Sequence, residues 1–197
     1  MKKLLHVGCG GENKNSLKGF NSSSWNEIRL DIDKNVHPDI VGTLTDMKLV
    51  ESASVDALYS SHNIEHIFPH EVPIALHEFN RVLKDDGFVV ITCPDLVSVC
   101  EAVVNDKLME PLYVSDAGPI SPIDILYGYR ESIQQGKIYM AHKTGFTYKS
   151  LLKAFQEAGF QSFIGGSRPK QFDLFLLASK NNRREEDLKK ASLEFLP

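Results

Sequence analysis

Composition and charge limit the classes of protein to which this chain can belong. Its 197 residues suit one domain, since typical domains hold about 100–200 residues. Hydrophobic residues make up 42% and charged residues 24%, a balance typical of a globular protein with a sizeable core. The net charge of -4 argues against nucleic acid and anionic membranes as partners. No apolar run in the sequence approaches the roughly 20 residues of a membrane helix.

The first residues and the cysteines indicate a compartment. The apolar start at Leu4 and Leu5 is shorter than the roughly 7–15 residues of a signal-peptide core. Cys9, Cys93 and Cys100 are odd in number and lack metal-ligand spacing. The seven histidines are scattered along the chain. We therefore expect a cytoplasmic protein and no metal site.

The hydrophobic pattern alternates between strands and helices. Strands are expected at 3–8, 27–32, 38–41, 55–60, 87–93, 160–165 and 172–179. Helices are expected at 70–84, 96–107 and 147–158. The last two strands are joined by the segment 165–169, which is too short for a crossover helix, so they should pair antiparallel. The predicted fold is α/β: a doubly wound, mostly parallel seven-stranded sheet with a C-terminal antiparallel hairpin.

Four segments depart from this simple alternation. Residues 12–26 are polar and lack helical periodicity, and residues 34–38 leave no room for a helix. Both features predict shortened crossovers after strands one and two. Residues 108–146 form a long insertion with clustered Pro, Gly and aromatic residues, which is typical of a lid or of a disordered segment. The charged tail 181–197 carries a weak helical stripe that could dock on the domain or on a second copy. The domain itself is expected over 1–180.

A glycine-rich turn follows the first predicted strand. Glycine lets the backbone turn sharply there and lets a ligand approach where a Cβ would collide. A dinucleotide-binding fingerprint would need a third glycine at position 13, which is Asn13. Asp31 ends the second strand about twenty residues later, where a carboxylate commonly holds a ribose diol. A simple tight turn is the alternative.

Several motifs occur in an informative order. They are Gly8-Cys9-Gly10, Leu30-Asp31-Ile32-Asp33, Val55-Asp56-Ala57-Leu58-Tyr59, Glu65-His66 and Arg81-Val82-Leu83-Lys84-Asp85-Asp86-Gly87. Their order resembles the class I S-adenosylmethionine-dependent methyltransferases, in particular the small-molecule, type 11-like group. The resemblance runs from Leu4 to about Lys180. It implies S-adenosylmethionine as the cofactor.

The resemblance also implies which residues hold that cofactor. They are Gly8, Cys9, Gly10, Asp31, Ile32, Thr43, Leu44 and Ser61. The loop amides would approach the methionine carboxypropyl group, and Asp31 would accept hydrogen bonds from the ribose hydroxyls. Thr43 stands where the family usually has a carboxylate facing the adenine amino group. Asp46 could substitute for that carboxylate, or it could cap the short segment 47–51.

Two histidines are candidate general bases. His62 follows strand four, facing the sulfonium region by analogy, and His142 lies at the base of the predicted lid. A histidine suits proton removal near neutrality. The alternatives are a polar strand end for His62 and capping of the next helix for His142. Asp95 also points toward the acceptor pocket.

Other polar residues are expected to be structural. We expect His6 to bond the neighbouring backbone, Asp33 to lie in a solvated turn or support the site, and Glu65-His66 to begin a helix.

The sequence therefore predicts methyl transfer from S-adenosylmethionine to a small-molecule acceptor, a hydroxyl or an amine. Two alternatives remain. A nicotinamide-dependent oxidoreductase is disfavoured by Asn13 and by the terminal hairpin. A non-catalytic module with the methyltransferase fold is kept open by the reduced segments 12–26 and 34–38.

Overall fold

A seven-stranded sheet organises the chain. The computed structural model describes residues 1–115 and 117–197. The strands are β1 (Lys2–Val7), β2 (Trp25–Asp31), β3 (Ile40–Val41), β4 (Val55–Ser61), β5 (Leu83–Pro94), β6 (Tyr113–Ser115), β7 (Gly118–Ile120), β8 (Ser162–Arg168) and β9 (Asp173–Ser179). In the main sheet the order is β3-β2-β1-β4-β5-β9-β8, and β9 runs antiparallel to both of its neighbours. The predicted α/β fold with its antiparallel terminal hairpin is confirmed.

Within the described residues, six helices accompany the strands. They are α1 (Val72–Val82), α2 (Leu96–Val104), α3 (Pro122–Tyr127), α4 (Arg130–Gln134), α5 (Tyr148–Glu157) and α6 (Glu185–Phe195). Helix α1 buries Leu76, Phe79 and Val82, which lie on one face at spacings of three. Asp95 caps α2 by accepting the Val97 N–H, and Thr147 caps α5. Helices α1 and α2 are each shorter than their hydrophobic patterns predict.

Apolar side chains form two clusters. The larger one includes Leu58, Phe79 and Phe155, and brings α1 and α5 against the sheet. The smaller one includes Phe20 and Phe195, whose ring centroids lie 4.7 Å apart. Because Phe195 and Ala191 are buried in this cluster, the tail helix α6 docks on the domain.

Polar contacts hold the two shortened crossovers. Short 3-10 turns form over Lys14–Ser16 and Lys34–Val36, in the two connections that the sequence predicts to be shortened. The Arg29 guanidinium donates to the carbonyls of Gly10, Glu12, Val36 and His37. A guanidinium carries five N–H donors in a fixed geometry, so one side chain can satisfy several loop carbonyls. Arg29 thereby ties both loops to β2.

The hairpin turn lies later than the sequence predicts. Gly165 to Arg168 belong to β8, and the turn covers 169–172. A Cβ on Gly165 would lie 2.3 Å from the Phe175 carbonyl oxygen. Gly165 therefore marks a close approach of two backbones within the hairpin, rather than its turn.

Two other local predictions are corrected. Strand β5 begins at Leu83 rather than at residue 87, and its register with β4 shifts between Val55 and Ala57. Such a shift accommodates extra residues in a strand. His6 meets a side chain instead of the backbone, since its Nδ1 lies 2.9 Å from Glu27 Oε1. A buried histidine and a half-buried carboxylate gain from pairing with each other.

The insertion 108–146 has secondary structure of its own in its described part. It contains the β6–β7 hairpin, α3, α4 and a 3-10 turn over Ile138–Met140. Asp124 is buried at the start of α3, where its carboxylate accepts the Ser121 N–H and pairs with Arg130 at 2.7 Å. The predicted lid motion stays a prediction. In the part of the chain that the structure describes, no helix is long and apolar enough to cross a membrane.

Candidate functional site

A cavity of about 470 Å³ opens at the carboxyl ends of the parallel strands. Ligands of doubly wound sheets bind at this edge, where the strand order reverses, and here it reverses between β1 and β4. The walls come from the loops after β1, β2, β3 and β4 and from the insertion. The lining residues used below are Gly8, Gly10, Asp31, Ile32, Asp33, Thr43, Leu44, His62, Asn63, His66, Lys137, Tyr139 and Lys143. The volume suits a small-molecule ligand.

The glycine turn forms one wall. Gly8 has a φ of 68° and Gly10 a φ of 51°, in the left-handed region that favours glycine. A Cβ on Gly8 would lie 2.1 Å from the Asn63 amide nitrogen, so the loop after β4 packs directly on this turn. A Cβ on Gly10 would meet nothing within 4 Å, so it would occupy open space at the cavity wall.

Asp31 organises the adjoining wall. Its two carboxylate oxygens accept the N–H groups of Gly10 and Asp33, each at 2.8 Å. Each oxygen keeps a further lone pair for another donor. The residue is only 9% exposed and lines the cavity.

The other predicted cofactor residues divide into two sets. Ile32, Thr43 and Leu44 line the cavity, and Ile32 is 52% exposed, which leaves an apolar face for a ligand. Cys9 and Ser61 are not among the cavity-lining residues that the structure describes. Cys9 is 2% exposed, and burial raises the pKa of its thiol to about 11. Ser61 Oγ lies 2.6 Å from Thr92 Oγ1 on the neighbouring strand.

His62 lines the cavity in an unusual backbone conformation. Its φ of 47° is uncommon for a residue with a side chain and costs free energy. Its N–H donates to the Thr92 carbonyl at 3.0 Å, which fixes the turn. Its side chain is 47% exposed, with Nδ1 3.6 Å from Glu65 Oε1. Burial opposes the charged ring, but the Glu65 carboxylate outweighs it and raises the pKa of His62.

His142 has a different environment. Its Nδ1 lies 2.6 Å from the Ile125 carbonyl oxygen, so this nitrogen must carry the proton and donate. Its ring contacts that of His66, with centroids 4.7 Å apart. Burial lowers the pKa of His142. Asp95, the other polar residue predicted near the acceptor, is 3% exposed and is occupied by Val97 N–H and Ser98 Oγ.

Sequence reasoning missed two features of this site. Tyr139 from the insertion donates its hydroxyl to Asp33 at 2.8 Å, and the contact with Asp33 helps raise the pKa of Tyr139, after burial, to about 12. Glu65, His66 and His142 place ligand atoms within 4.8 Å of one another. Both features join residues more than 70 positions apart, so no local spacing could reveal them.

Comparison with known proteins agrees with this geometry. Residues 5–91 match the family model described as a methyltransferase domain. No curated protein sequence matches the chain. Many solved structures share the fold at low sequence identity.

Three such structures illustrate the likeness. A possible exported protein from Bordetella parapertussis matches with a TM-score of 0.61 at 15% identity, over 92% of this chain and 62% of that chain. This chain thus spans less than two thirds of that protein. A SAM-dependent methyltransferase from Thermotoga maritima matches with a TM-score of 0.53 at 14% identity, over 92% of this chain and 83% of that chain.

The third solved structure carries a ligand. The 1,6-didemethyltoxoflavin-N1-methyltransferase from Burkholderia thailandensis, with bound S-adenosylhomocysteine, matches with a TM-score of 0.54 at 15% identity, over 91% of this chain and 71% of that chain. The domain match covers the strands that build the cavity, and the shared fold covers nearly the whole length. Residues 5–91 thus match a methyltransferase domain, and nearly the whole chain shares its fold with solved methyltransferases.

Proposed function

We propose that this protein transfers a methyl group from S-adenosylmethionine to a small-molecule acceptor, a hydroxyl or an amine, in the cavity at the carboxyl ends of β1, β2 and β4. The observation that carries the proposal is that the glycine turn, the Asp31 carboxylate and His62 all line one cavity. The 1,6-didemethyltoxoflavin-N1-methyltransferase from Burkholderia thailandensis acts on a small molecule, which supports the acceptor class.

The residues of this cavity fit the cofactor. Gly10 leaves open space where a side chain would project, and its backbone is held by Asp31. In the proposed complex Asp31 accepts hydrogen bonds from the ribose hydroxyls with its free lone pairs. Ile32 and Leu44 offer apolar contact to the adenine ring, and Thr43 offers a hydroxyl. Cys9 and Ser61, the other two predicted contacts, support the turn and the strand end from outside the cavity wall.

The acceptor side is proposed to begin at His62. Bound S-adenosylmethionine supplies an electrophilic methyl group on a positively charged sulfonium. His62 accepts the acceptor's proton as the new bond to the methyl carbon forms and the C–S bond breaks, with the electron pair returning to sulfur. Among the described residues, the cavity lining includes His62 but not His142, so of the two predicted bases we assign this step to His62. An enclosed cavity that aligns the reacting atoms supplies much of the remaining rate enhancement.

Calorimetry tests the cofactor assignment. We expect S-adenosylmethionine and S-adenosylhomocysteine to bind with micromolar dissociation constants and a stoichiometry of one. NAD and NADP serve as controls and should give no measurable heat. Binding of NAD in preference to S-adenosylhomocysteine would favour an oxidoreductase, and binding of none of the four would favour a non-catalytic module.

A turnover assay tests the enzymatic assignment. Small hydroxyl and amine compounds are screened for release of S-adenosylhomocysteine above the rate without acceptor. We expect at least one compound class to accelerate release in the wild-type protein and to lose that acceleration in His62→Ala. Cofactor binding without any such acceleration across both classes would contradict the acceptor class proposed.

A further inference from the structure

Glu65 is an unusual carboxylate for the interior of a protein. The residue is 1% exposed, and neither of its carboxylate oxygens has a hydrogen-bond partner among the described residues. The contact with His62, at 3.6 Å, is longer than a hydrogen bond. An ionised carboxylate that leaves water without such partners is costly unless a cation compensates it. His62, whose pKa this carboxylate raises, compensates the charge only across 3.6 Å, so a closer cation would stabilise Glu65 further.

Two histidines present ligand atoms beside it. Ligand atoms of Glu65, His66 and His142 all lie within 4.8 Å of one another. His142 Nδ1 donates to the Ile125 carbonyl at 2.6 Å, and His66 Nδ1 lies 3.3 Å from the Ala141 carbonyl. Carbonyl oxygens only accept, so the proton of each ring is held on Nδ1 and the Nε2 lone pairs are left available. Metal-binding histidines commonly use a backbone carbonyl in this way to fix tautomer and ring orientation.

Backbone contacts fix the three residues relative to one another. The N–H groups of Lys143 and Thr144 both donate to the Glu65 carbonyl, at 2.8 and 3.2 Å. The His142 N–H donates to the Tyr127 carbonyl at 3.1 Å. The end of the insertion is thus tied to the loop after β4, so His142 is held next to Glu65 and His66 by the main chain.

We propose that Glu65, His66 and His142 form a binding site for one divalent transition-metal ion of the Zn²⁺ type. Two imidazole nitrogens and one carboxylate form a common donor set for such ions, whereas Mg²⁺ and Ca²⁺ prefer oxygen ligands alone. Side-chain rotation would bring the three ligand atoms to bonding distance, about 2.0–2.2 Å from the ion.

The site adjoins the cavity, because His66 and Lys143, the residue after His142, both line the cavity. Three protein ligands leave a coordination position open on a Zn²⁺-type ion. If that position faces the cavity, an acceptor oxygen bound there would give up its proton more readily. This role in catalysis rests on the proposed function, whereas metal binding itself does not.

Metal binding is tested with the full chain, purified without a polyhistidine tag and stripped with a chelator. Co²⁺ is added and followed by its visible absorption, and Zn²⁺ is titrated by calorimetry. We expect one ion per chain, with the visible bands of four- or five-coordinate Co²⁺ that Zn²⁺ then displaces. His142→Gln and Glu65→Gln should each weaken binding more than about 100-fold, since even changes behind the ligands cost about 10–100-fold. His77→Gln, which removes an exposed histidine on α1, is the matched control and should bind as the wild type does.

Thermal unfolding of each metal-free variant shows whether that variant folds. The two variants change ligands in different segments of the chain, so a folding defect in one leaves the other as a test. Absence of Co²⁺ and Zn²⁺ binding by the wild type would overturn the proposal. Equal binding by folded wild-type, His142→Gln and Glu65→Gln proteins would also overturn it. S-adenosylhomocysteine binding is measured on the same wild-type sample. A protein that binds S-adenosylhomocysteine but no metal would overturn the metal site and leave the methyltransferase assignment standing.

Discussion

The cofactor side and the insertion of this molecule are built in different ways. Residues 5–91 match a methyltransferase domain model, and their glycine turn and Asp31 are fixed by buried parallel strands and backbone hydrogen bonds. The insertion 108–146 exposes large apolar side chains, including Val114 at 79% and Tyr127 at 65%, and depends on a few polar contacts. The insertion lies outside the residues that match the methyltransferase domain. We therefore expect the matched residues to hold the cofactor and the insertion to take part in acceptor choice.

The largest expected effect separates chemistry from cofactor binding. His62→Ala should lower the rate of methyl transfer to an acceptor found by screening by about 10²–10⁴-fold, the usual contribution of a general base. Affinity for S-adenosylhomocysteine should stay within about threefold of wild type, because His62 is not assigned to the adenosyl group. His77→Gln provides the control for loss of a histidine. An unchanged rate in His62→Ala would show that His62 is not the base and would direct attention to the insertion.

The second effect concerns the cavity wall that Asp31 organises. Asp31→Ala should weaken S-adenosylhomocysteine binding by about 1.5–3 kcal/mol, typical of hydrogen bonds to a charged group. Asp85→Ala removes an exposed carboxylate far from the cavity lining and should leave affinity unchanged. Isothermal calorimetry measures both. Equal affinities for the two variants would place the ribose site elsewhere.

The third effect concerns the insertion alone. Burial raises the pKa of Asp124, but the Arg130 guanidinium and the Ser121 N–H outweigh it and hold the pKa below the ordinary value. The ion pair therefore stabilises the insertion fully above the unfolded-state pKa, and this stabilisation is lost as pH falls through the native one. Asp124→Asn should reproduce that loss at neutral pH, by about 1–3 kcal/mol of local opening free energy.

Hydrogen exchange over residues 118–134 measures the Asp124 effect, with Glu131→Gln as the exposed control. Exchange there should accelerate in Asp124→Asn, while the β1–β4 amides and cofactor affinity stay unchanged. Uniform acceleration across the whole chain would show that the two regions unfold as one unit.

The smallest effect probes the contact between the two regions. Tyr139→Phe deletes the hydroxyl that donates to Asp33 at 2.8 Å. One hydrogen bond at a partly exposed site contributes about 0.5–1.5 kcal/mol, so exchange over 137–143 should rise a few-fold. If the insertion is a lid, as the sequence predicts, ligand-induced protection of 108–146 should also weaken in this variant. Slow exchange in this segment, equal with and without ligand, would instead indicate a fixed insertion.

The sequence predicts most of the sheet because its signals are local. Each buried strand is an apolar run, and a connection as short as 169–172 forces β8 and β9 to pair antiparallel. The predicted position of that turn was wrong, because a glycine such as Gly165 is typical of a turn. Its actual constraint is the Phe175 backbone, which lies opposite it only in the folded hairpin.

Only part of the candidate site can be placed from the sequence. Glycines and a carboxylate at strand ends can be placed from the sequence, because the strands themselves are predictable. The cluster of Glu65, His66 and His142 cannot, since His142 reaches the other two only through the path of the insertion. Cys9, at a strand end within the glycine motif, is read from the sequence as a small buried residue, and its side chain is 2% exposed.

The proposed cofactor site is tested by a crystal structure of the protein with S-adenosylhomocysteine. We expect the ligand in the cavity between the ends of β1, β2 and β4. Both ribose hydroxyls should lie within about 2.5–3.0 Å of the Asp31 carboxylate oxygens, the range of such hydrogen bonds. The sulfur should face His62. A ligand bound at another surface, or one in this cavity whose ribose makes no contact with Asp31, would contradict it.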